Sequence, residues 1–344
     1  MARGTATTMV FFGGSITWGA TATDPMRTSW RALVEQKLRS RHPHTPMTVI
    51  DAAIGGQPAE LGVFRMDRDV LPHKPHLVFV EFSVNDGTRT NASETMEGLI
   101  CKLCRHHPQA AIVPVVFGAI TPDSSAYDAP AREAHLRVFH HYGLPVVDAV
   151  PVIQAKMADG LKSEAFLTDQ CHPNDRGYEL YADIVIKSLD RLSSLLGQPV
   201  CAPLQPLTAN RYESARMIAL TSIKAQSGWE PGVPSLVGTW FDHTPSRWHD
   251  STLRPIRAGA RLEEECAVSG IGLYFEMVPH GKQLLLKADD AVHLRINTTH
   301  ELGFARVNYA FQMLTEPGVC QIVLEAPDGG PTAAAYLLVT GGGL

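Results

Sequence analysis

Thr8-Met9-Val10-Phe11-Phe12-Gly13-Gly14-Ser15-Ile16-Thr17-Trp18-Gly19 is the stretch on which the reading of this chain turns. Val10, Phe11 and Phe12 form an apolar run of the kind buried on both faces of a parallel sheet. Gly13 and Gly14 let the backbone turn sharply where side chains would block a ligand. Ser15 is thereby predicted just past the carboxyl end of a first strand, the edge at which open α/β sheets hold their ligands. Glycine pairs also make ordinary turns, so the rest of the chain has to decide what Ser15 is for.

Strand and helix patterns alternate from here on. Trp30, Leu33, Val34 and Leu38 recur at helical spacing within 27–41, and His42-Pro43 ends that run. Residues 47–50 are strand-like, 58–71 are helical up to Pro72, and 77–82 is an apolar run with one carboxylate, Glu81. Helices are predicted over 93–105, 129–142, 151–158 and 175–195, with strands at 111–117 and 145–147. About five such alternations predict an α/β fold, a parallel sheet with helices on both faces. Parallel strands bring their carboxyl ends to one edge, so Ser15, Gly56 and Asn85, each just after a predicted strand, converge there.

A serine becomes a nucleophile when an imidazole takes its proton and a third group fixes that imidazole's tautomer. Leu167-Thr168-Asp169-Gln170-Cys171-His172-Pro173 offers both partners, Asp169 and His172, from one loop. With the serine early and an Asp-x-x-His pair late, the chain resembles the GDSL-type, or SGNH, serine hydrolase superfamily. Two intermediate segments extend the resemblance: Val49-Ile50-Asp51-Ala52-Ala53-Ile54-Gly55-Gly56-Gln57 and Val78-Phe79-Val80-Glu81-Phe82-Ser83-Val84-Asn85-Asp86-Gly87. It departs from the family where Gly-Gly-Ser-Ile stands for Gly-Asp-Ser-Leu, and where Ser83 precedes the Asn-Asp pair in place of the usual glycine.

The resemblance covers roughly the first 190 to 200 residues and implies a three-layer, flavodoxin-like SGNH-hydrolase domain over 1–198. It implies Ser15, His172 and Asp169 as the catalytic group. The Ser15 and Gly56 backbone N–H groups and the Asn85 side chain would form the oxyanion hole, with Gly55 the rival to Gly56. Asp175 and Asp86 are rivals to Asp169 as the acid, although Asp175 also suits the start of the last helix as its cap. Thr17 and Trp18 are expected to line the acyl site or to pack the loop. No cofactor and no metal is implied. An α/β-hydrolase elbow fits less well, since Thr17 stands where Gly-x-Ser-x-Gly needs its last glycine. A phosphate loop lacks its Gly-Lys-Ser/Thr.

Pro199, Pro203 and Pro206 break helical continuity and mark a boundary. Beyond it, short strand-like runs at 216–220, 236–240, 261–268, 272–277, 283–288, 292–296, 304–311, 321–325 and 334–339 are punctuated by Gly, Pro, Asp or Asn. They predict a jelly-roll-like β-sandwich over 207–344. Trp229, Trp240 and Trp248 are expected to fill its core, or to stack on sugar rings. His243, Arg247, His249 and Asp250 read as a solvated loop.

With 344 residues, 44% hydrophobic and 19% charged, the chain has material for two domains. A net charge of −5 gives no electrostatic reason to bind nucleic acid or an anionic membrane, and no apolar run reaches the length of a spanning helix. The opening Met1-Ala2-Arg3-Gly4 does not resemble a signal peptide, which places the protein in the cytoplasm; a leader removed ahead of residue 1 would place it in the periplasm or outside the cell. Six cysteines are too sparse for a disulfide scaffold. Cys101 and Cys104 lack a second pair for zinc and read as free thiols, and Cys171 reads as loop packing.

With its attached β-domain, the family resemblance implies a carbohydrate O-acetylesterase-like enzyme that removes small acyl groups, O-acetyl above all, from a small-molecule or polysaccharide ester; the oligomeric state is left open. A lipase or thioesterase of the same superfamily, or a carbohydrate-binding protein on a hydrolase fold, are the alternatives.

Overall fold

β1 (Thr7–Gly13) lies between two parallel neighbours, β2 (Met47–Asp51) and β3 (Leu77–Glu81), in the computed structural model, which describes residues 5–121, 126–192, 205–235, 249–301 and 305–341. β4 (Ala111–Val116) pairs with the far edge of β3. A two-residue antiparallel pair follows in the chain, β5 (Ala119–Ile120) with β6 (Tyr127–Asp128). β7 (Val147–Asp148) then completes a five-stranded parallel sheet in the order β2-β1-β3-β4-β7.

Successive side chains of a strand point to opposite faces, and β1 shows what that does. Phe11 stacks on Phe79 with ring centroids 4.6 Å apart, and both meet Trp30 of α2 (Trp30–Arg41) at 5.3 and 6.0 Å. Phe12 faces the other way, towards Phe82 at 5.1 Å and under the Arg65 guanidinium of α3 (Ala59–Asp69) at 4.6 Å. The helices divide accordingly. α2 packs with α8 (Asp175–Leu192) on the Trp30 side, and α3 packs with α5 (Ala92–His106) on the other. α6 (Arg132–His141) packs on α5, and α7 (Val150–Ala158) leads towards α8. The three-layer α/β/α architecture expected from the alternation is therefore present. α2 begins at Trp30, three residues later than its apolar spacing implies, because the Ser29 hydroxyl accepts the Ala32 N–H at 3.2 Å and caps it.

Two single-turn helices have no counterpart in the sequence expectations: α1 (Ser15–Trp18) directly after β1, and α4 (Ser83–Asp86) directly after β3. Four residues are too few to show a hydrophobic period.

The chain divides into two compact units, Met1–Asn210 and Arg211–Leu344. The second is antiparallel: β8 (Arg216–Ala219), β9 (Ala225–Ser227), β10 (Trp229–Gly232), β11 (Thr252–Pro255), β12 (Ala260–Met277), β13 (Gln283–Ala288), β14 (Ala291–Asn297), β15 (Arg306–Ala326) and β16 (Ala334–Thr340). Runs 261–268 and 272–277 prove to be one strand, β12, with an irregularity between Val268 and Gly270. Runs 304–311 and 321–325 likewise fall within β15 from Arg306 onward. The first half of β12 pairs with β9 and the second half of β15, which continues to β13 and β14. The second half of β12 pairs with the first half of β15 and with β16, which carries β8 and β11. Leu262, Leu273, Leu286, Leu324 and Leu337, drawn from both halves, share one buried cluster, as a sandwich requires. Trp229 belongs to that cluster; Trp240, Trp248 and the predicted strand 236–240 lie outside the described residues. No described helix is long and apolar enough to cross a membrane.

The aromatic cluster of the first unit supports a stability prediction. Trp30 is fully buried against Phe11, Phe79 and Phe117, and its indole N–H has no hydrogen-bond partner among the described residues. Trp30→Ala is expected to cost about 3–5 kcal/mol in urea unfolding. Trp30→Phe, which removes the unpaired N–H and keeps a ring, is expected to cost well under half of that.

Candidate active site

The sheet register places the candidate residues. Gly13 and Glu81 are partners at the ends of β1 and β3. Past the end of β2, the Ala52 N–H bonds Phe11 O at 2.9 Å and the Ile54 N–H bonds Gly13 O at 3.0 Å, so the Gly55-Gly56 turn is held alongside Gly13. Gly56 has φ 72° and is exposed, while Gly55 is buried. A left-handed backbone of this kind favours glycine. Asn85 sits in α4, and its side chain occupies the space that Gly14 leaves open: a Cβ on Gly14 would lie 1.8 Å from Asn85 Oδ1. Ser15 opens α1 immediately after, 5% exposed.

His172 reaches Ser15 from the other end of the unit. Its Nε2 lies 2.8 Å from Ser15 Oγ, and its Nδ1 lies 2.7 Å from Asp169 Oδ2. The second carboxylate oxygen, Oδ1, accepts the backbone N–H groups of Cys171 at 2.8 Å and His172 at 2.7 Å. Burial pushes the Asp169 carboxyl up, but those two N–H bonds and the imidazole outweigh it, holding the group below the usual carboxylate range. Asp169 is therefore an anion aimed at Nδ1. That orientation leaves Nε2 as the acceptor for the serine proton.

The loop bearing His172 is itself anchored. Thr168 N–H bonds His172 O at 2.8 Å, Asn174 N–H bonds Phe166 O at 3.1 Å, and Ile120 N–H bonds Gln170 O at 2.7 Å. Four further bonds tie the segment after Ser15 to it: Thr21 Oγ1 to Pro173 O at 2.8 Å, Tyr178 OH to Ala20 O at 2.6 Å, and the Thr23 and Thr28 hydroxyls to the Asp175 carboxylate.

Both rival acids are thereby accounted for. Asp175 is taken by Thr23 and Thr28, and the cap of α8 expected of it is supplied by Asn174, whose Oδ1 accepts the Gly177 N–H at 3.0 Å. Asp86 accepts the Ala59 N–H at 2.7 Å and lies 2.6 Å from His135 Nε2, joining α4 to the start of α3. Of the two places expected for Thr17, the packed one fits: it is fully buried and donates to Glu81 Oε2 at 2.9 Å, because α1 turns this face towards the sheet. Trp18 is half-buried.

Cys171 is held as a thiol. Burial and the neighbouring Asp169 carboxylate push its thiol up to about 12. Asp169, Cys171 and His172 present ligand-capable atoms within 4.8 Å of one another. Yet the 2.7 Å from Nδ1 to Oδ2 is a hydrogen-bond length, shorter than the roughly 3.3 Å between two ligands of a tetrahedral zinc.

Residues 11–180 match the GDSL-like Lipase/Acylhydrolase family. The first unit belongs to that family. The chain is accordingly a carboxylic-ester hydrolase. Among its relatives, Thioesterase 1/protease 1/lysophospholipase L1 of Escherichia coli K12 is 25% identical over 188 residues, which span 54% of this chain and 85% of that protein. The crystal structure of a two-domain esterase active on acetylated mannans superposes with a TM-score of 0.80 at 22% identity, covering 99% of this chain and 92% of that one. Both units of this esterase thus have counterparts of the same fold.

Elsewhere in the esterase, Cys101 and Cys104 are buried and outside any disulfide, with Cys101 Sγ 3.0 Å from the Tyr142 hydroxyl. His249 corrects the solvated-loop reading, while Asp250 is exposed as expected. His249 is fully buried 3.0 Å from Glu276 Oε1, and Asp250 accepts from the Tyr336 hydroxyl. His243 and Arg247 lie outside the described residues. Sequence reasoning also passed over Glu81, His135 and the Asp175 lacing; for Glu81 the signal was present, a lone carboxylate in an otherwise apolar strand.

The fit of Asn85 against Gly14 is testable. Gly14→Ala is expected to displace the Asn85 amide and, if that amide is the oxyanion donor the family resemblance implies, to lower ester turnover by about 10²-fold while the chain still folds. Turnover measured alongside thermal unfolding checks this; an unchanged rate would show that the amide is not needed where it stands.

Proposed function

We propose that this esterase removes O-acetyl groups from carbohydrate by a serine acyl-enzyme mechanism, with Ser15 as nucleophile, His172 as general base and then acid, and Asp169 as the group that orients the imidazole. The observation that carries the reading is the unbroken chain of contacts from Ser15 Oγ to His172 Nε2 at 2.8 Å and from Nδ1 to Asp169 Oδ2 at 2.7 Å.

Ser15 Oγ attacks the ester carbonyl as its proton passes to Nε2. The charge gathered on the carbonyl oxygen is met by the Ser15 and Gly56 N–H groups and the Asn85 amide, each worth about 3 kcal/mol in the transition state. Collapse breaks the bond to the sugar oxygen, which leaves with the proton from Nε2, and the acetyl group stays on Ser15. Water, deprotonated by His172, then attacks the acyl-enzyme, releasing acetate and restoring the Ser15 hydroxyl.

The carbohydrate part of the reading is supported by the two-domain esterase active on acetylated mannans, whose likeness extends over both units, whereas the thioesterase relative matches about half of the chain. Ser15→Ala is expected to abolish acetate release from acetylated mannan and xylan and covalent labelling by a fluorophosphonate, with no change in thermal midpoint. Release by the variant at the wild-type rate would overturn the nucleophile. Faster cleavage of acyl-thioesters than of any acetylated glycan would replace the substrate class. Glycan binding with neither turnover nor labelling would leave a binding protein on a hydrolase fold.

A further inference from the structure

Glu81 is 1% exposed at the end of β3, and the mechanism above does not use it. Its two oxygens lie under two different catalytic turns. Oε2 accepts the Thr17 hydroxyl of α1 at 2.9 Å, and Oε1 lies 3.3 Å from the Ser83 hydroxyl of α4. Thr17 stands two residues after Ser15, and Ser83 two residues before Asn85. We propose that Glu81 is a positioning residue that works as a neutral carboxylic acid, bridging the nucleophile turn to the oxyanion-donor turn. The proposal rests on the acyl-transfer reading of Ser15 and Asn85.

The hydrogen bonds around Ser83 accommodate the neutral form. Ser83 has one hydroxyl proton and two acceptors in reach, Phe117 O at 2.7 Å and Glu81 Oε1 at 3.3 Å, while its oxygen accepts the Phe117 N–H at 3.1 Å. The shorter contact takes the proton. In the neutral acid the longer contact is made by a proton of Glu81, giving the series Thr17 to Glu81 to Ser83 to Phe117; in the anion the Ser83 hydroxyl turns to Glu81 instead, and the Ser83 N–H donates to the carboxyl in either form. Charge points to the neutral form. An anion buried beneath Ser15 and Asn85 would oppose the negative charge that develops on the substrate carbonyl.

Burial raises the Glu81 carboxyl to about 7, against the lowering effect of the Thr17 and Ser83 hydroxyls and the Ser83 N–H, with the Asp86 carboxylate adding to the rise. Among the described groups, its charge also acts on Tyr127 on β6, Tyr178 and Tyr181 on α8, and Cys171 in the His172 loop, while the Arg65 guanidinium of α3 bonds the carbonyl of Gly13, its strand partner, at 3.3 Å.

The test compares wild type, Glu81→Gln and Glu81→Ala in acetate release against pH, with Ser15→Ala as the blank. Glutamine copies the neutral acid, its amide donating towards Ser83 and its oxygen accepting from Thr17. Wild type is expected to lose kcat/KM along a one-proton limb above pH about 7. Glu81→Gln should keep activity within about fivefold on the acid side of that limb and hold its plateau roughly two pH units further. Glu81→Ala should lose more than about tenfold in kcat with KM little changed. An identical alkaline limb in wild type and Glu81→Gln, or wild-type kcat in Glu81→Ala, overturns the proposal.

A second readout does not need catalysis. A carboxyl raised on folding contributes stability that is complete below its unfolded value of 4.5 and lost as pH rises through about 7. Wild type should therefore lose thermal midpoint relative to Glu81→Gln across that range. A constant difference there overturns the neutral acid even if no Ser15-dependent hydrolysis is found, and the expected slope without hydrolysis sinks the acyl-transfer reading alone.

Discussion

Ser15 and His172 lie 157 positions apart, and the 2.8 Å between Oγ and Nε2 is the distance on which the site depends. Neither residue can be placed by its own neighbours in sequence. The sheet fixes one end, because β1 is gripped on both sides by parallel partners and its carboxyl end is fully buried up to Gly13. The other end is fixed by bonds across the gap: Thr21 to Pro173, Tyr178 to Ala20, and Asp175 to Thr23 and Thr28. Several modest bonds at different points define an orientation where a single bond would leave a pivot.

The same logic governs the oxyanion side. Asn85 rides on a four-residue turn that has almost no stability of its own. Its rigidity comes from buried polar groups on either side: Asp86 reaches the start of α3 and His135, and Ser83 reaches Phe117 and Glu81. Gly13 and Gly14 complete the arrangement by absence, since a Cβ on either would overlap Thr17, Glu81 or Asn85. The apolar strands thus end in a rim of buried, mutually satisfied polar groups. A rim of this kind can hold donors still while charge builds on a substrate.

Much of this was legible before any coordinates. Phe11 and Phe12, the alternation of strands and helices, and the order of the Ser15, Gly56, Asn85 and Asp169–His172 segments were enough to draw the parallel sheet and name the residues at its edge. The β unit was legible as a set of strand runs, though not in its pairing: β12 and β15 looked like four strands because each is broken by residues that suit turns, and only the neighbouring strands keep them extended. The short strands β9, β10 and β11 were missed, since three or four residues carry no readable period. Between the acyl site and loop packing the sequence could not choose for Thr17, because its type does not say which face of α1 is turned inward.

By itself, the sequence determined which strands would be buried on both faces, and therefore that their carboxyl ends would gather the chemistry at one edge; hydrophobic periodicity is a local property and can be read locally. Tertiary structure alone decided which carboxylate bonds His172, which glycine carries an exposed left-handed turn, and that Glu81 reaches the turns of Ser15 and Asn85 at once. Those are matters of partners distant in the chain. Asp86, Asp169 and Asp175 are chemically the same residue until packing commits one to His135, one to His172 and one to a pair of threonines.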